Sequence, residues 1–249
     1  MGQNNVRVQA NGHVIQLTNL NKLYWQEDGY TKGELVGFYR EISTVILPYL
    51  VDRPESLHRH PNGIHGSSFF QKDVSKQPPP EWVQTVEIAS DEKPTRTVLC
   101  QDEATLLYLA NLGCIELNPW NSRVGSLDRP DYLSIDLDPE DVPFGKVIET
   151  AQAVHKVLEN IGAPNLCKTS GKRGLHIYVP LGARYTHQQA KDFAELRWVR
   201  FSRRSGSLLH ADCQHAHVHV IPRRIGDVAD PRGGVRWIVP SKAKYWVED

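Results

Sequence analysis

The chain has 249 residues, with 29 Lys and Arg against 29 Asp and Glu, so no overall basic field marks it as a nucleic-acid binder and any such surface has to be local. Hydrophobic content of 40% and charged content of 23% are ordinary for a folded soluble protein, and no apolar run of about 18 residues exists to cross a membrane. Cys100, Cys114, Cys167 and Cys213 are scattered without a CxxC pair, and the polar start MGQNNVRVQANG lacks the apolar core of a signal peptide. These features argue against a disulfide scaffold or a cysteine zinc site and lead to the expectation of a cytoplasmic setting.

In chain order, HVIQLT (13–18) reads as a short strand. TKGELVGFYREISTVILPYL reads as one helix, with Thr31 as N-cap and Glu34 completing a capping box. Leu35, Phe38, Tyr39, Ile42, Ile46 and Tyr49 fall on one face at helical spacing, and Pro48 lies near the end. PESLHRHPNG reads as a strand followed by a turn at Pro61-Asn62-Gly63, and KQPPPEW as a loop. DEATLLYLANLG is a second helix, capped by Asp102 and stopped by Gly113. Residues 132–137 are a strand. A helix follows from about Lys146 to Ile161, its stripe made by Val147, Ala151, Val154, Leu158 and Ile161. NLCKTSGKRGLHIYVPL then reads as two strands joined by the glycine-flanked turn SGKRG.

The strand YLSIDLDP places two carboxylates in an apolar run. Alternation sends Leu133, Ile135 and Leu137 into a core and Ser134, Asp136 and Asp138 to the other face. Residues two apart on a strand lie roughly 6.5–7 Å apart, so two aspartates on one face repel unless a cation lies between them or one is protonated. Hard Mg²⁺ or Mn²⁺ suits such a pair, and a two-metal site is the usual apparatus of phosphoryl transfer. The other reading of the pair alone is a strand end whose aspartates cap a loop or meet a lysine. In SGKRG, Ser170, Gly171 and Gly174 let backbone N–H groups approach an anion, Lys172 and Arg173 supply charge, and His176 follows on a strand. A surface hairpin with a basic turn is the alternative, which loses ground beside a DxD strand in the same sheet.

These two elements, with NLNKLYWQEDGYTKGEL, LHRHPNG, SSFFQKD, PPPEWV and ATLLYLANLGCIELNPW, resemble the archaeo-eukaryotic primase superfamily and, more closely, the polymerase domain of bacterial ligase D. The resemblance runs from about residue 14 to residue 196. It implies a mixed α/β (α+β) fold, with an RRM-like catalytic sheet and an N-terminal α/β part. It implies further that Asp136 and Asp138 are catalytic metal ligands for Mn²⁺ or Mg²⁺. Ser170, Gly171, Lys172 and His176 would contact the phosphates of a nucleoside triphosphate, with His176 also catalytic. Arg59 and Asn118 would approach the nucleotide, Asn118 standing where the family often has a histidine. Lys22 and Lys32 would grip a 5′-phosphate on DNA, and Phe69 and Phe70 would stack on template bases. Because neighbours on a strand face opposite ways, at least one of these two phenylalanines is expected in the core.

The resemblance organises the chain as a primase-polymerase-like domain over 1–196 and an atypical tail over 197–249. The tail holds 10 Lys and Arg against 5 Asp and Glu, where 1–196 holds 19 against 24. The tail lacks the family's third catalytic aspartate, for which Asp212, Asp227 and Asp230 qualify only by residue type. It is expected to be poorly ordered and foreign to the family, as a shift of reading frame near codon 196 would make it; re-sequencing decides. His215, His217 and His219 alternate in HAHVHV and could share a zinc ion on a strand. The expected function is template-directed nucleotidyl transfer at DNA ends or gaps with a 5′-phosphate, in bacterial, nucleoid-associated end joining with Ku. No KxDG motif occurs, so sealing is expected from a separate DNA ligase, and no membrane is involved. The alternative is a catalytically impaired module that binds 5′-phosphorylated DNA ends; a metallophosphoesterase is a third class.

Overall fold

The structure is a computed structural model that describes residues 4–89, 93–138, 143–171 and 174–194, together with the backbone of 209–210 and 217–222. The chain divides into two units, Met1–Gly125 and Ser126–Asp249. In the first, β1 (Val6–Ala10) and β2 (His13–Leu17) form a hairpin closed by Asn11 and Gly12, both with positive φ. Asn-Gly is the strongest two-residue hairpin signal, and it is what could have revealed β1. A small ribbon, β3 (Leu23–Trp25) with β4 (Tyr30–Thr31), leads into helix α1 (Lys32–Glu41). Thr31 and Glu34 make the expected capping box.

The single helix expected over 32–50 is two: α1 stops at Ile42, whose ψ of 2° leaves helical geometry, and α2 runs Ser43–Leu50 with Pro48 inside it. Leu35 and Tyr39 are buried and Ile42 and Ile46 pack partly buried against the same core, while Phe38 and Tyr49 are 53% and 71% exposed. β5 (Pro54–Arg59) is the centre of the first sheet. It pairs with β6 (Phe69–Gln71), with β8 (Thr95–Leu99) and with β9 (Cys114–Pro119), and β8 pairs with β7 (Thr85–Ile88). Helix α3 (Glu103–Asn111) is capped by the Asp102 side chain, which accepts from Thr105 N. The core of this unit gathers Tyr24, Leu35, Val36 and Tyr39 with Leu57, Leu106, Leu107 and Leu109. Gly113, which ends α3, is obligatory: a Cβ there would lie 2.8 Å from the Tyr24 hydroxyl and 2.9 Å from His60 O.

In the second unit, β10 (Tyr132–Leu137) pairs antiparallel with β12 (Leu175–Pro180), which pairs with β11 (Leu166–Thr169). Helix α4 (Phe144–Glu159) carries the predicted stripe, with Val147, Ala151, Val154 and Leu158 buried. Against it pack Leu133, Ile135 and Leu137 of β10 and Leu175, Ile177 and Val179 of β12, together with Ala190 and Ala194 of a helical stretch over 187–194. One sheet face is thus closed by α4. From the stretch 197–249, β13 (Leu209–His210) and β14 (His217–Pro222) extend the sheet, β14 running parallel to β10 with His217 opposite Ser134 and His219 opposite Asp136. Cys213, His215, Asp212, Asp227 and Asp230 lie outside the described residues. Cys100 and Cys114 are buried free thiols and Cys167 is an exposed one. Among the described residues, no helix is long and apolar enough to cross a membrane.

Glu55, on β5, is 1% exposed, and among the described residues neither carboxylate oxygen has a hydrogen-bond partner. Burial pushes its pKa well above 4.5, against the opposing pull of the Arg53 guanidinium. A carboxyl raised in the folded state makes the folded chain bind the extra proton, so its contribution to stability is fullest below 4.5 and declines as pH rises through the raised pKa. Glu55→Gln keeps the shape of the protonated acid and removes this slope. Denaturant titrations at several pH values are expected to show the variant gaining on the wild type as pH rises above 4.5, with the gap closing at lower pH.

Candidate functional site

The open face of the second sheet carries the predicted carboxylate. Asp136 and His176 are register partners on β10 and β12, and Lys168 on β11 is the register partner of His176. Three strands therefore deliver Lys168, His176 and Asp136 in one row, opposite the face closed by α4. His176 Nε2 lies 3.4 Å from Asp136 Oδ1, the side chains being 23% and 15% exposed. Lys168 Nζ donates to Thr169 O at 2.7 Å and sits 3.5 Å from His176 Nδ1. A lysine ammonium is a donor only, so this contact favours an unprotonated Nδ1 and leaves the Nε2 proton facing the carboxylate side. Tyr178 continues the face, its ring edge-on to His176 at 6.2 Å; burial raises its pKa, against the hydrogen bond with Ser134.

The strand ends one residue before Asp138, which is exposed. Next to that end folds the glycine turn. Ser170 N donates to Gly174 O at 2.9 Å and Gly174 N donates to Ser170 Oγ at 3.0 Å, so the serine closes the turn on itself. Gly171 has φ of +96°, a conformation that a side chain would strain. Gly174 is needed for a different reason: a Cβ there would lie 2.5 Å from Leu137 O, the last residue of β10. The absence of that Cβ lets the turn press against the strand carrying the aspartates. Lys172 and Arg173 lie outside the described residues. Asp136 and Asp138 offer hard oxygen donors at an accessible strand end, which fits Mg²⁺ or Mn²⁺. Among the described residues no group of three or more His, Cys, Asp or Glu gathers to hold a metal.

In the first unit, the β3–β4 ribbon brings Lys22 and Lys32 together, Lys32 N donating to Lys22 O at 2.8 Å. Lys32 is only 5% exposed. Its Nζ donates to Thr18 O at 2.7 Å, while Lys22 Nζ donates to Pro61 O at 2.7 Å and Asn62 Oδ1 at 2.6 Å. Arg59 joins them: its Nη1 donates to Gln71 Oε1 at 2.9 Å and its Cζ lies 5.3 Å from the Phe69 ring centre. Burial first, then the Lys22 ammonium and the Arg59 guanidinium, bring the Lys32 pKa down from 10.5 to about 8. Three cations are thus oriented by neutral oxygens, an arrangement whose chemistry suits an anion. Asn118, on β9, has its amide Nδ2 buried and without a hydrogen-bond partner among the described residues. Phe69 and Phe70 are 47% and 59% exposed. The expectation that one is core fails because β6 is a three-residue edge strand with both faces accessible.

A family model of the LigD primase-polymerase domain matches residues 31–217. The chain belongs to that family. It is 32% identical over 206 residues to the multifunctional non-homologous end joining protein LigD of Pseudomonas aeruginosa, covering 82% of this chain and 22% of that relative. It is 30% identical over 184 residues to the bifunctional non-homologous end joining protein LigD of Bacillus subtilis, covering 73% of this chain and 29% of the relative. The chain thus spans less than a third of the length of either. Its fold matches the polymerase domain from Mycobacterium tuberculosis ligase D, solved in complex with DNA, with a TM-score of 0.73 at 27% identity over 83% of this chain and 76% of that one.

Within this LigD primase-polymerase fold, sequence reasoning missed Lys168 and the company that Arg59 keeps. Lys168 was open to the alternation rule, since it stands two residues before Ser170 on the strand entering the turn; its partner His176 depends on the hairpin register. Arg59 was expected beside the nucleotide, and only the tertiary fold sets it with Lys22 and Lys32. Gly174→Ala is expected to lift the turn from β10. Thermal melting should show a loss of roughly 1–3 kcal/mol from overpacking.

Proposed function

We propose that this chain is a template-directed nucleotidyltransferase acting at DNA ends or gaps that bear a 5′-phosphate. The observation that carries the reading is the pairing of Asp136 with His176 on an open sheet face, beside a glycine turn packed against the same strand end. In this reading a primer 3′-hydroxyl attacks the α-phosphate of a nucleoside triphosphate, and pyrophosphate leaves. Asp136 and Asp138 hold Mg²⁺ or Mn²⁺, which when bound supplies Lewis-acid stabilisation of the charge on the transferred phosphoryl group. His176 donates from Nε2 to a phosphate oxygen. Ser170 and Gly171 shape the turn to an anion and Lys172 adds charge. Lys22, Lys32 and Arg59 take the 5′-phosphate. The LigD relatives are named for non-homologous end joining, which supports a place in that repair; Ku is the partner this reading implies.

A second reading is a binding module that grips 5′-phosphorylated ends without catalysis. It is favoured by one observation, that among the described residues no third ligand joins the aspartate pair. Primer extension on a gapped duplex with Mn²⁺ separates the two. The enzyme reading predicts extension that Asp136→Ala lowers on the order of 10³-fold. No extension, with retained preference for a 5′-phosphate, gives the module.

The lowered pKa of Lys32 adds a pH test. Phosphate binds the protonated amine, so affinity for a 5′-phosphorylated end is full below about 8 and falls as pH rises through it. The phosphate's own charge is constant there, since its second pKa is about 6. Fluorescence anisotropy from pH 7 to 9.5 should show this fall for the wild type and not for Lys32→Met, whose binding is weaker throughout.

A further inference from the structure

The two adjacent phenylalanines of β6 do not form one platform. Phe69 is the register partner of Arg59, which lies over its ring, so Phe69 belongs to the face of the cation cluster. Phe70 is the register partner of His58, and His58 is in turn the register partner of Glu116 on β9. The opposite face therefore carries a row of carboxylate, imidazole and phenyl across three strands. The His58 and Phe70 rings are stacked, with centres 4.2 Å apart and planes within 9°.

The imidazole is fixed at both nitrogens. Nδ1 lies 3.0 Å from Glu116 Oε2 and Nε2 lies 3.1 Å from Ser68 Oγ. A carboxylate only accepts, so Nδ1 carries a proton; the serine hydroxyl serves Nε2 as donor or acceptor. From a third side His60, 5% exposed, packs with its ring centre 4.3 Å from that of His58. A phenyl on a short edge strand would otherwise sample several rotamers, and ordering it would oppose any ligand. Here His58 covers one face of the ring, while Phe70 remains 59% exposed. The uncovered face is an ordered, flat, apolar surface, which suits an unstacked nucleobase.

We propose that His58 is the positioning residue that holds Phe70 as a base-stacking surface for single-stranded template, with Glu116 and Ser68 fixing the imidazole plane. This rests on the DNA-end reading above and narrows it: Phe70 takes the base, and Phe69 supports Arg59 in the phosphate cluster. Glu116, Ser68 and His58 contact no substrate; they act through Phe70.

The test uses the full chain and a gapped duplex with 2-aminopurine at the templating position, made with and without the 5′-phosphate. Stacking is read as fluorescence quenching at saturating protein, and end recognition as the ratio of Kd values for the two duplexes. Phe70→Ala and His58→Ala are expected to lose most of the quenching and to weaken binding about five- to tenfold. His58→Phe, which keeps a ring, should retain the quenching. The 5′-phosphate ratio should be unchanged in all three, a result that loss of folding would not give. Full quenching in His58→Ala, where Phe70→Ala loses it, overturns the positioning role and leaves the DNA-end reading intact. Quenching lost in Phe69→Ala and kept in Phe70→Ala overturns the assignment of the two rings. A wild type indifferent to the 5′-phosphate overturns both the DNA-end reading and this inference. Should His58→Ala not fold, His58→Gln carries the same test, since it keeps polar contacts to Glu116 and Ser68 without a ring to stack.

Discussion

The alternation of β10 is the constraint from which the rest of the second unit follows. Leu133 and Leu137 are wholly buried and Ile135 nearly so, all against α4. Burying side chains of this size stabilises by roughly 1.5–3 kcal/mol each. A slip of one residue would exchange them for Ser134, Asp136 and Asp138, putting carboxylates in the core and leucines in water. The register that hides the apolar set therefore also fixes Asp136 on the open face. The antiparallel partner then brings His176 opposite the aspartate, and Gly174 lets the turn between β11 and β12 close on the end of β10.

The first unit solves a different electrostatic problem. A lysine as deeply buried as Lys32 is costly when charged, and its lowered proton affinity records that cost. The fold nevertheless holds Lys22 and Arg59 close to it, each oriented by carbonyl or amide oxygens instead of carboxylates. Such a cluster is poised for an anion, whose arrival would offset the mutual repulsion. Glu55 shows the opposite resolution in the same unit: a carboxyl whose burial raises its hold on its proton.

Local signals in the sequence were readable where one period or one cap decides the outcome. The alternation of LSIDL, the Thr31–Glu34 capping box, the Asp102 cap and the stripe of α4 all depend on neighbours in the chain. The motif set also led to the family, and so to the mixed α/β fold. What was not legible depends on partners distant in sequence. The one helix expected over 32–50 divides because Ile42 leaves helical geometry, which no periodicity reveals. The exposure of both Phe69 and Phe70 follows from β6 being a short edge strand. That Arg59 stands with the lysines, and His58 under Phe70, requires the pairings of β5 with β6 and β9.

The central claim is that Asp136 and Asp138 share a divalent cation which also meets the phosphates held at the glycine turn. Anomalous diffraction from crystals grown with Mn²⁺ and a non-hydrolysable nucleoside triphosphate tests it most directly. The account predicts manganese density within coordination distance of both carboxylates, with the triphosphate running toward Ser170 and His176. Manganese bound elsewhere, or a triphosphate seated away from that turn while Asp136 stays paired with His176 alone, would contradict it.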